Sequence, residues 1–506
     1  MSAPSAYDQV FYPGHPYEQT HPDRLAVIGS LYGMEPAPIS RCRVLELGCG
    51  VGGNLVPLAY QWPESEFVGI DLSQVSIERG MQNVAALGLK NIALRHGDIM
   101  EVDESYDAFD YIIAHGVYSW VPPCVREKML SIFAANLKPE GIAYVSYNCY
   151  PGWRMADIAR EVMRYHTQAV EEAQEKIEQS RAVMDALAEV VAANEVYGAV
   201  IRDQAERVRK KADQVLFHDD LASNTTPFYF HQVAEDAARH GLQYLSESTF
   251  AFSNVETYPP KKKALLQRIP DRVMREQYLD FIEGRMFRES LFCRAGRLLE
   301  RRPVRECIAQ FHLSAQLTSD PAEFDPTQGK RVMFTTGKGG RLTTDHRLTK
   351  AALLHLRECW PEAIPFSELY EAAFRQLEPS PDELPHDREA DIERMAEALA
   401  EAFSAGLLEL HLTPPKLTHR VAERPRASEL ARLEAMHGAL ITTLRHGSVH
   451  IQDETVRRFI RFVDGTRTVQ DLLQDMQATV EPTIPVDRAA VEANLQRMAR
   501  LGLLLP

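Results

Sequence analysis

Residues 43–54, RVLELGCGVGGN, decide how the chain is to be read. Val44 to Leu47 form a short apolar run suited to a buried parallel strand. Gly48, Gly50, Gly52 and Gly53 follow as a turn in which backbone approaches a ligand with no Cβ in the way. Beyond Pro57, residues 58–62 keep the apolar content of a helix packed on that strand. A strand, a glycine turn and a helix start together make a nucleotide-cofactor site, because free backbone N–H groups point at the ligand. Gly48, Gly50 and Gly53 also satisfy the dinucleotide spacing G-x-G-x-x-G, so this stretch alone leaves the cofactor open.

Outward from that turn, apolar strand candidates at 43–47, 66–71, 92–96, 109–114 and 142–148 alternate with helical stretches near 54–61, 73–87 and 123–137. The alternation predicts an α/β fold with a parallel sheet covered on both faces. Asp71 ends the second strand, where a carboxylate can hold ribose hydroxyls. Asp98 follows the third strand, and the fourth delivers His115 and Gly116 to the ligand edge.

Five motifs in this order, ELGCGVGGN, VGIDLS, GDI, FDYIIAHGVYSW and LKPEG, resemble class I methyltransferases that use S-adenosylmethionine. Glu46, two residues before the first glycine, and the second acid Asp98 favour the methyl donor over a dinucleotide. Further along, HGVYSWVP at 115–122, YNCYPGW at 147–153 and the stretch 216–248 are similar to one bacterial subfamily. It carries a methyltransferase regulatory domain and includes the rickettsial outer-membrane-protein lysine methyltransferases. The similarity is close through about residue 300 and looser beyond.

The resemblance implies S-adenosyl-L-methionine as cofactor and a Rossmann-like methyltransferase sheet. The Gly48–Gly52 backbone should face the donor's amino-acid end, Asp71 the ribose, Asp98 and Ile99 the adenine, and His115 and Gly116 the methionine part. Glu46, Asn54 and Leu72 complete the expected cofactor set. The acceptor should arrive over the ends of strands four and five, where Tyr118, Ser119, Trp120, Tyr147, Asn148, Tyr150 and Trp153 gather. Tyr118, Trp120, Tyr147 and Asn148 are the catalytic candidates there. The [ND]-PP-[YF] box of enzymes methylating planar amides and adenine is absent, Ala114-His115-Gly116-Val117 standing in its place.

Five hundred and six residues are too many for one core, and several domains are expected. Residues 1–42 read as an aromatic, Pro-punctuated arm that folds back as a lid or packs on the surface. Residues 43–254 read as the methyltransferase domain, with a helical insertion at 154–215 whose apolar stripe packs on its own domain or takes a partner, and the resemblance implies a homodimer. Residues 255–313 read as a basic helical middle region, its Arg285-Met286-Phe287-Arg288 run a solvated face. After a polar linker at 314–330, two winged-helix-like modules follow at 331–413 and 425–506.

The net charge of −15 argues against a broad nucleic-acid-binding face. Seven cysteines without a CxxC pair supply no zinc spacing and no disulfide framework, which suits a reducing cytoplasm. The first residues lack the basic and apolar regions of a signal peptide, and no apolar run approaches the ~18 residues of a membrane span. The resemblance implies methylation of lysine side chains on surface or outer-membrane proteins. A small-metabolite or lipid methyltransferase and a donor-binding regulator without turnover are the alternatives.

Overall fold

The computed structural model describes residues 14–222, 224–253, 258–377, 388–479 and 487–506. Strands β1 (Arg43–Leu47), β2 (Glu66–Asp71), β3 (Ile92–His96), β4 (Phe109–Ala114), β5 (Leu137–Asn148), β6 (Leu242–Glu247) and β7 (Phe287–Arg294) build one seven-stranded sheet. Its order is β3-β2-β1-β4-β5-β7-β6. The first five strands are parallel, with Glu46 beside Gly69 and Gly69 beside Leu94, so their C-terminal ends share one edge. Helices α1 (Pro22–Leu31), α2 (Leu55–Gln61), α3 (Gln74–Ala86) and α4 (Pro123–Asn136) belong to this part. The alternating strand and helix pattern folds this way because each apolar strand must be covered on both faces.

The sheet does not close at residue 254. Phe287–Arg294 enters between β5 and β6, antiparallel to both, with Ser146 beside Glu289 and Asn148 beside Phe287. This corrects the reading of 255–313 as a helical region with a solvated basic face. Arg288 is fully buried, and its pleat partners Ser290 and Phe292 are buried with it. The alternation of RESLFC was the strand signal, and the flanking arginines disguised it.

The insertion forms three helices, α5 (Trp153–His166), α6 (Ala173–Val190) and α7 (Val196–Lys210). They bury a small core of their own around Met163, Ile177, Met184, Ala205 and Val208. Val190 and Val196, at the turn joining α6 to α7, stay 78% and 84% exposed. Helices α8 (Phe230–Arg239) and α9 (Arg272–Glu283) flank β6 and β7.

One face of the sheet, with Tyr111, Ile113, Ile142 and Tyr144, packs on α1 and shares a continuous core with Leu353, Phe366 and Leu399 of the first C-terminal module. The other face, with Leu45, Ile112 and Val145, packs on α4 and α8. The first module begins earlier than 331: β8 (His312–Ser314) lies between β12 (Ile364–Pro365) and β13 (Glu409–His411). The polar stretch expected to be a linker supplies β9 (Thr318–Asp320), which pairs with β10 (Val332–Thr335) and through it with β11 (Arg341–Thr344). The second module has its own core, built on Ile441, Phe459, Leu472, Leu495 and Leu503, and carries the hairpin β14 (Leu440–Thr442) and β15 (Ser448–His450). Among the described residues no helix is long and apolar enough to cross a membrane.

Candidate functional site

The glycine turn is held open by left-handed backbone. Gly48, Gly50 and Gly52 have φ of +75, +53 and +71°, values that side chains disfavour. A Cβ on Gly48 would strike Val117, and one on Gly52 would strike Leu94, so these two fit closely against the sheet. A Cβ on Gly50 would meet nothing within 4 Å, and the same holds for Gly116 at φ +68°. Gly50 and Gly116 thus border the open space that a ligand takes.

Asp71, at the tip of β2, accepts the Gly50 N–H at 2.7 Å and the Ser73 N–H at 2.8 Å. The next residue, Leu72, leaves 71% of its surface exposed at the same edge. Asp98 caps the turn after β3 by accepting the Met100 N–H at 2.9 Å, with Ile99 half-buried beside it. Acid, exposed leucine, acid and isoleucine therefore line one edge of the sheet. That edge suits a ribose held by Asp71 and an adenine lying between apolar side chains.

Glu46 is 3% exposed, and burial pushes its carboxyl up to about 8 against the lowering hydrogen bond from Asn54. Asn54 Nδ2 donates to Glu46 Oε1 at 3.0 Å, while Oε2 is buried with no partner among the described residues. A buried carboxyl with one idle oxygen at the rim of a glycine turn fits a cationic amino-acid end. The residues present therefore fit S-adenosylmethionine. Among the described residues no cluster of three or more His, Cys, Asp or Glu side chains could hold a metal ion.

The arm lies over this edge. Gly14 packs so closely on Gly53 that a Cβ there would come within 2.4 Å of the Gly14 carbonyl carbon. The Tyr17 ring sits 3.9 Å from that of His115, and the Tyr17 N–H donates to Asn54 Oδ1 at 3.1 Å. Residues 14–20 thus cover the glycine turn, whereas Tyr7, Tyr12 and Pro13 lie outside the described residues. His115 keeps Nδ1 at 2.9 Å from the Tyr144 hydroxyl; burial, then the charge of His15, lowers it to about 3. It is neutral at any ordinary pH. Gly116 donates its N–H to Ser146 Oγ at 2.8 Å.

The acceptor candidates separate. Tyr118 and Tyr147 are each 1% exposed and turn into the core against Phe228, at ring distances of 5.3 and 6.4 Å. This corrects the expectation that both rings line an open acceptor pocket; the pleat of β5 and the turn after β4 point them toward α8. The Tyr147 hydroxyl instead lies 3.0 Å from Ser290 Oγ. Asn148 is on the opposite face of β5, with its Nδ2 buried and without a partner among the described residues. Trp120 is half-buried near the Arg160 guanidinium. Sequence reasoning missed Phe287, which pairs with Asn148, is 41% exposed and lies 6.3 Å from the His115 ring.

Behind Tyr147 lies a buried charge network. Arg288 reaches Glu247 at 2.6 Å, Asp280 at 2.9 Å and Glu276 at 3.1 Å. Burial opposes the charge on Glu247, but Arg288 and Arg285 outweigh it and hold that carboxyl low. On Asp280 burial prevails and pushes the carboxyl up to about 6. On the arm's side, a cavity of about 420 Å³ opens between Arg24, Phe250, Phe252, His411 and Arg445.

Comparison with known proteins finds methyltransferases. Residues 39–217 match a methyltransferase domain, 212–294 a predicted methyltransferase regulatory domain, and 423–501 the C-terminal winged helix domain of PKMT. Residue 294 is also where β7 ends. The structure of PKMT2 from Rickettsia typhi superposes with a TM-score of 0.88 at 27% identity, covering 98% of this chain and 100% of that one. The same protein in complex with AdoHcy matches with a TM-score of 0.88 at 26% identity, over 98% and 100% of the two chains. The uncharacterized protein RP789 of Rickettsia prowazekii is 30% identical over 94% of this chain and 86% of its own length. RP028 of the same organism, also uncharacterized, is 36% identical over 47% of this chain and 96% of its own length. With its glycine turn, its two acids and its winged-helix end, the chain is an S-adenosylmethionine-dependent methyltransferase and belongs to the RP789 family.

Proposed function

We propose that this methyltransferase acts on lysine side chains of protein substrates, the surface and outer-membrane proteins being the class favoured by resemblance. The observation that carries the reading is the uncharged aromatic wall at the acceptor edge, made by Tyr17, neutral His115 and half-exposed Phe287, with Tyr144 buried behind His115. A lysine amine has a reference pKa of about 10.4 and attacks only when neutral. A wall of uncharged rings disfavours the ammonium and so favours the free lone pair.

When bound, S-adenosylmethionine supplies an electrophilic methyl on a sulfonium, and the protein's part is to align and desolvate the acceptor. The amine nitrogen forms its bond to the methyl carbon as the carbon–sulfur bond breaks, and the extra proton passes to water. We assign Asn148 and Trp120 to the acceptor, Asn148 because its idle N–H₂ faces the arm's side of the sheet. Tyr118 and Tyr147 support this wall from behind.

Two further parts belong to the reading. Exposed Val190, Val196 and Tyr197 at the tip of the insertion favour a homodimer through 154–215, testable by light scattering with Val190→Glu, which should yield monomer. A cytoplasmic location and a protein acceptor in place of nucleic acid belong to the same proposal, supported by seven cysteines without a CxxC pair and a net charge of −15.

Incubation with donor labelled in its methyl group and a cell lysate tests the proposal. Label recovered as methyl-lysine in protein supports it. Label confined to the solvent-extractable fraction overturns it in favour of a metabolite or lipid acceptor. Donor binding with no labelled product in any fraction overturns it in favour of a regulator.

A further inference from the structure

We infer that His446, in the second winged-helix module, is a positioning residue for the cofactor: its Nε2–H holds Asn54, and Asn54 holds Glu46. The contact spans the chain. His446 Nε2 lies 2.8 Å from Asn54 Oδ1, and both residues are buried. Asn54 Oδ1 faces three donors, the Tyr17 N–H, the Thr20 hydroxyl at 3.1 Å and His446 Nε2, so the orientation of the amide is fixed. Its Oδ1 must face the Tyr17 N–H at 3.1 Å, because a backbone N–H can only donate. Its Nδ2 then donates to Glu46 Oε1 at 3.0 Å. An oxygen facing His446 requires the proton on Nε2. Nδ1 is then an acceptor, and it has no partner among the described residues.

His446 is not inter-module adhesion of the ordinary kind. It sits in the turn between β14 and β15 at φ +58°, a left-handed conformation that a residue with a Cβ adopts at a cost. The turn itself is over-determined: the Thr443 N–H donates to the Gly447 carbonyl at 2.8 Å and the Leu444 N–H to the Gly502 carbonyl at 2.7 Å. Arg445 meanwhile grips Glu409 of the first module at 2.7 and 2.8 Å. The Arg445–Glu409 pair already ties the second module to the first. The histidine adds a strained backbone and an idle buried nitrogen, and its returns are an edge-on ring contact with His21 at 5.2 Å and the Asn54 amide. Strain held where the surroundings enforce it marks a functional contact.

Loosening this hairpin therefore removes the shortest of the three contacts on Asn54 Oδ1, leaving those of Tyr17 and Thr20, and slackens the hold of the amide on the Glu46 carboxyl. The consequence is a cofactor site completed by a module that begins more than 350 residues downstream. Only donor binding is involved, whatever accepts the methyl group.

The test is calorimetric titration of the full chain with AdoHcy. His446→Ala should weaken binding about five- to twentyfold, and His446→Gln, whose amide N–H₂ can replace Nε2–H, should recover most of it. In an Asn54→Ala background, His446→Ala should cost less than a further twofold. Wild-type affinity in His446→Ala overturns the inference, as does full additivity in the double variant. Should the alanine variant fail to fold, amide hydrogen exchange on the unmodified protein decides. By linkage, AdoHcy must then slow exchange across 440–450 as well as 46–54, and an unprotected hairpin overturns the inference.

Discussion

The two halves of the sheet's ligand edge are built on different principles. At the tips of β1, β2 and β3 the site is mostly backbone: left-handed glycines, two acids that accept backbone N–H groups, and an exposed leucine. At the tips of β4, β5 and β7 it is made of side chains, and the ones that look most chemical, Tyr118 and Tyr147, are packing. A backbone site imposes a residue type at each position, so it can be read from sequence. A side-chain site depends on which way a pleat turns and on what enters beside it. Asn148 faces the arm's side only because Phe287–Arg294 lies next to β5.

The strongest test of that contrast removes the charge behind the acceptor half. Arg288→Met leaves Glu247, Glu276 and Asp280 without their shared cation in the interior. It should destabilise the fold by about 3–5 kcal/mol in denaturant titration, the usual result of breaking a buried ion network from one side. A loss below about 1 kcal/mol would mean the network is not structural.

Next in size is Asp71→Ala, which removes an acceptor for two backbone N–H groups at the rim of the glycine turn. A hydrogen bond from a ribose hydroxyl to this carboxylate would contribute about 1.5–3 kcal/mol, so AdoHcy affinity should fall about ten- to a hundredfold in calorimetry. Affinity within threefold of wild type would take Asp71 out of the site.

A smaller effect separates the halves by pH. The folded, cofactor-free protein holds the Glu46 carboxyl at about 8, above its ordinary 4.5. Since the folded state binds the extra proton, the stability contributed by Glu46 falls as pH rises between 4.5 and 8. A cationic donor beside it favours the carboxylate, so binding releases a proton below pH 8. Affinity should rise toward about tenfold per pH unit between 6 and 7.5, and Glu46→Gln should flatten the slope. Calorimetry in buffers of different ionisation enthalpy counts the proton; none released would refute the linkage.

The smallest expected effect is Tyr118→Phe. With the ring 1% exposed and packed on Phe228, loss of its hydroxyl should change turnover less than twofold. A tenfold loss in steady-state assays would return Tyr118 to the chemistry and dissolve the contrast.

Legibility followed the same line. Glu46, the glycines, Asp71, Asp98 and His115 stand on one sheet edge because strand-turn-helix units of fixed period bring them there. Phe287 was hidden because β7 comes some 140 residues after β5, between runs of arginine that read as a solvated surface. His446 was beyond reach for a plainer reason. Nothing in a hairpin tip reading TLRHGS says that its histidine fits beneath a turn at the other end of the chain.

The placement of β7 also limits how the protein can be divided. A fragment ending at 254 carries every motif of the methyl-donor fold but leaves β5 with a bare edge and β6 with no neighbour. The unpaired backbone groups of β5 would then recruit other chains. On the ribosome the same logic applies: the sheet can be completed only after residue 294 has emerged, and the face toward α1 stays uncovered until the first module follows. The methyl-donor sheet is thus an outcome of assembly well beyond its motifs, and a fragment ending at 254 is expected to precipitate before it can be assayed.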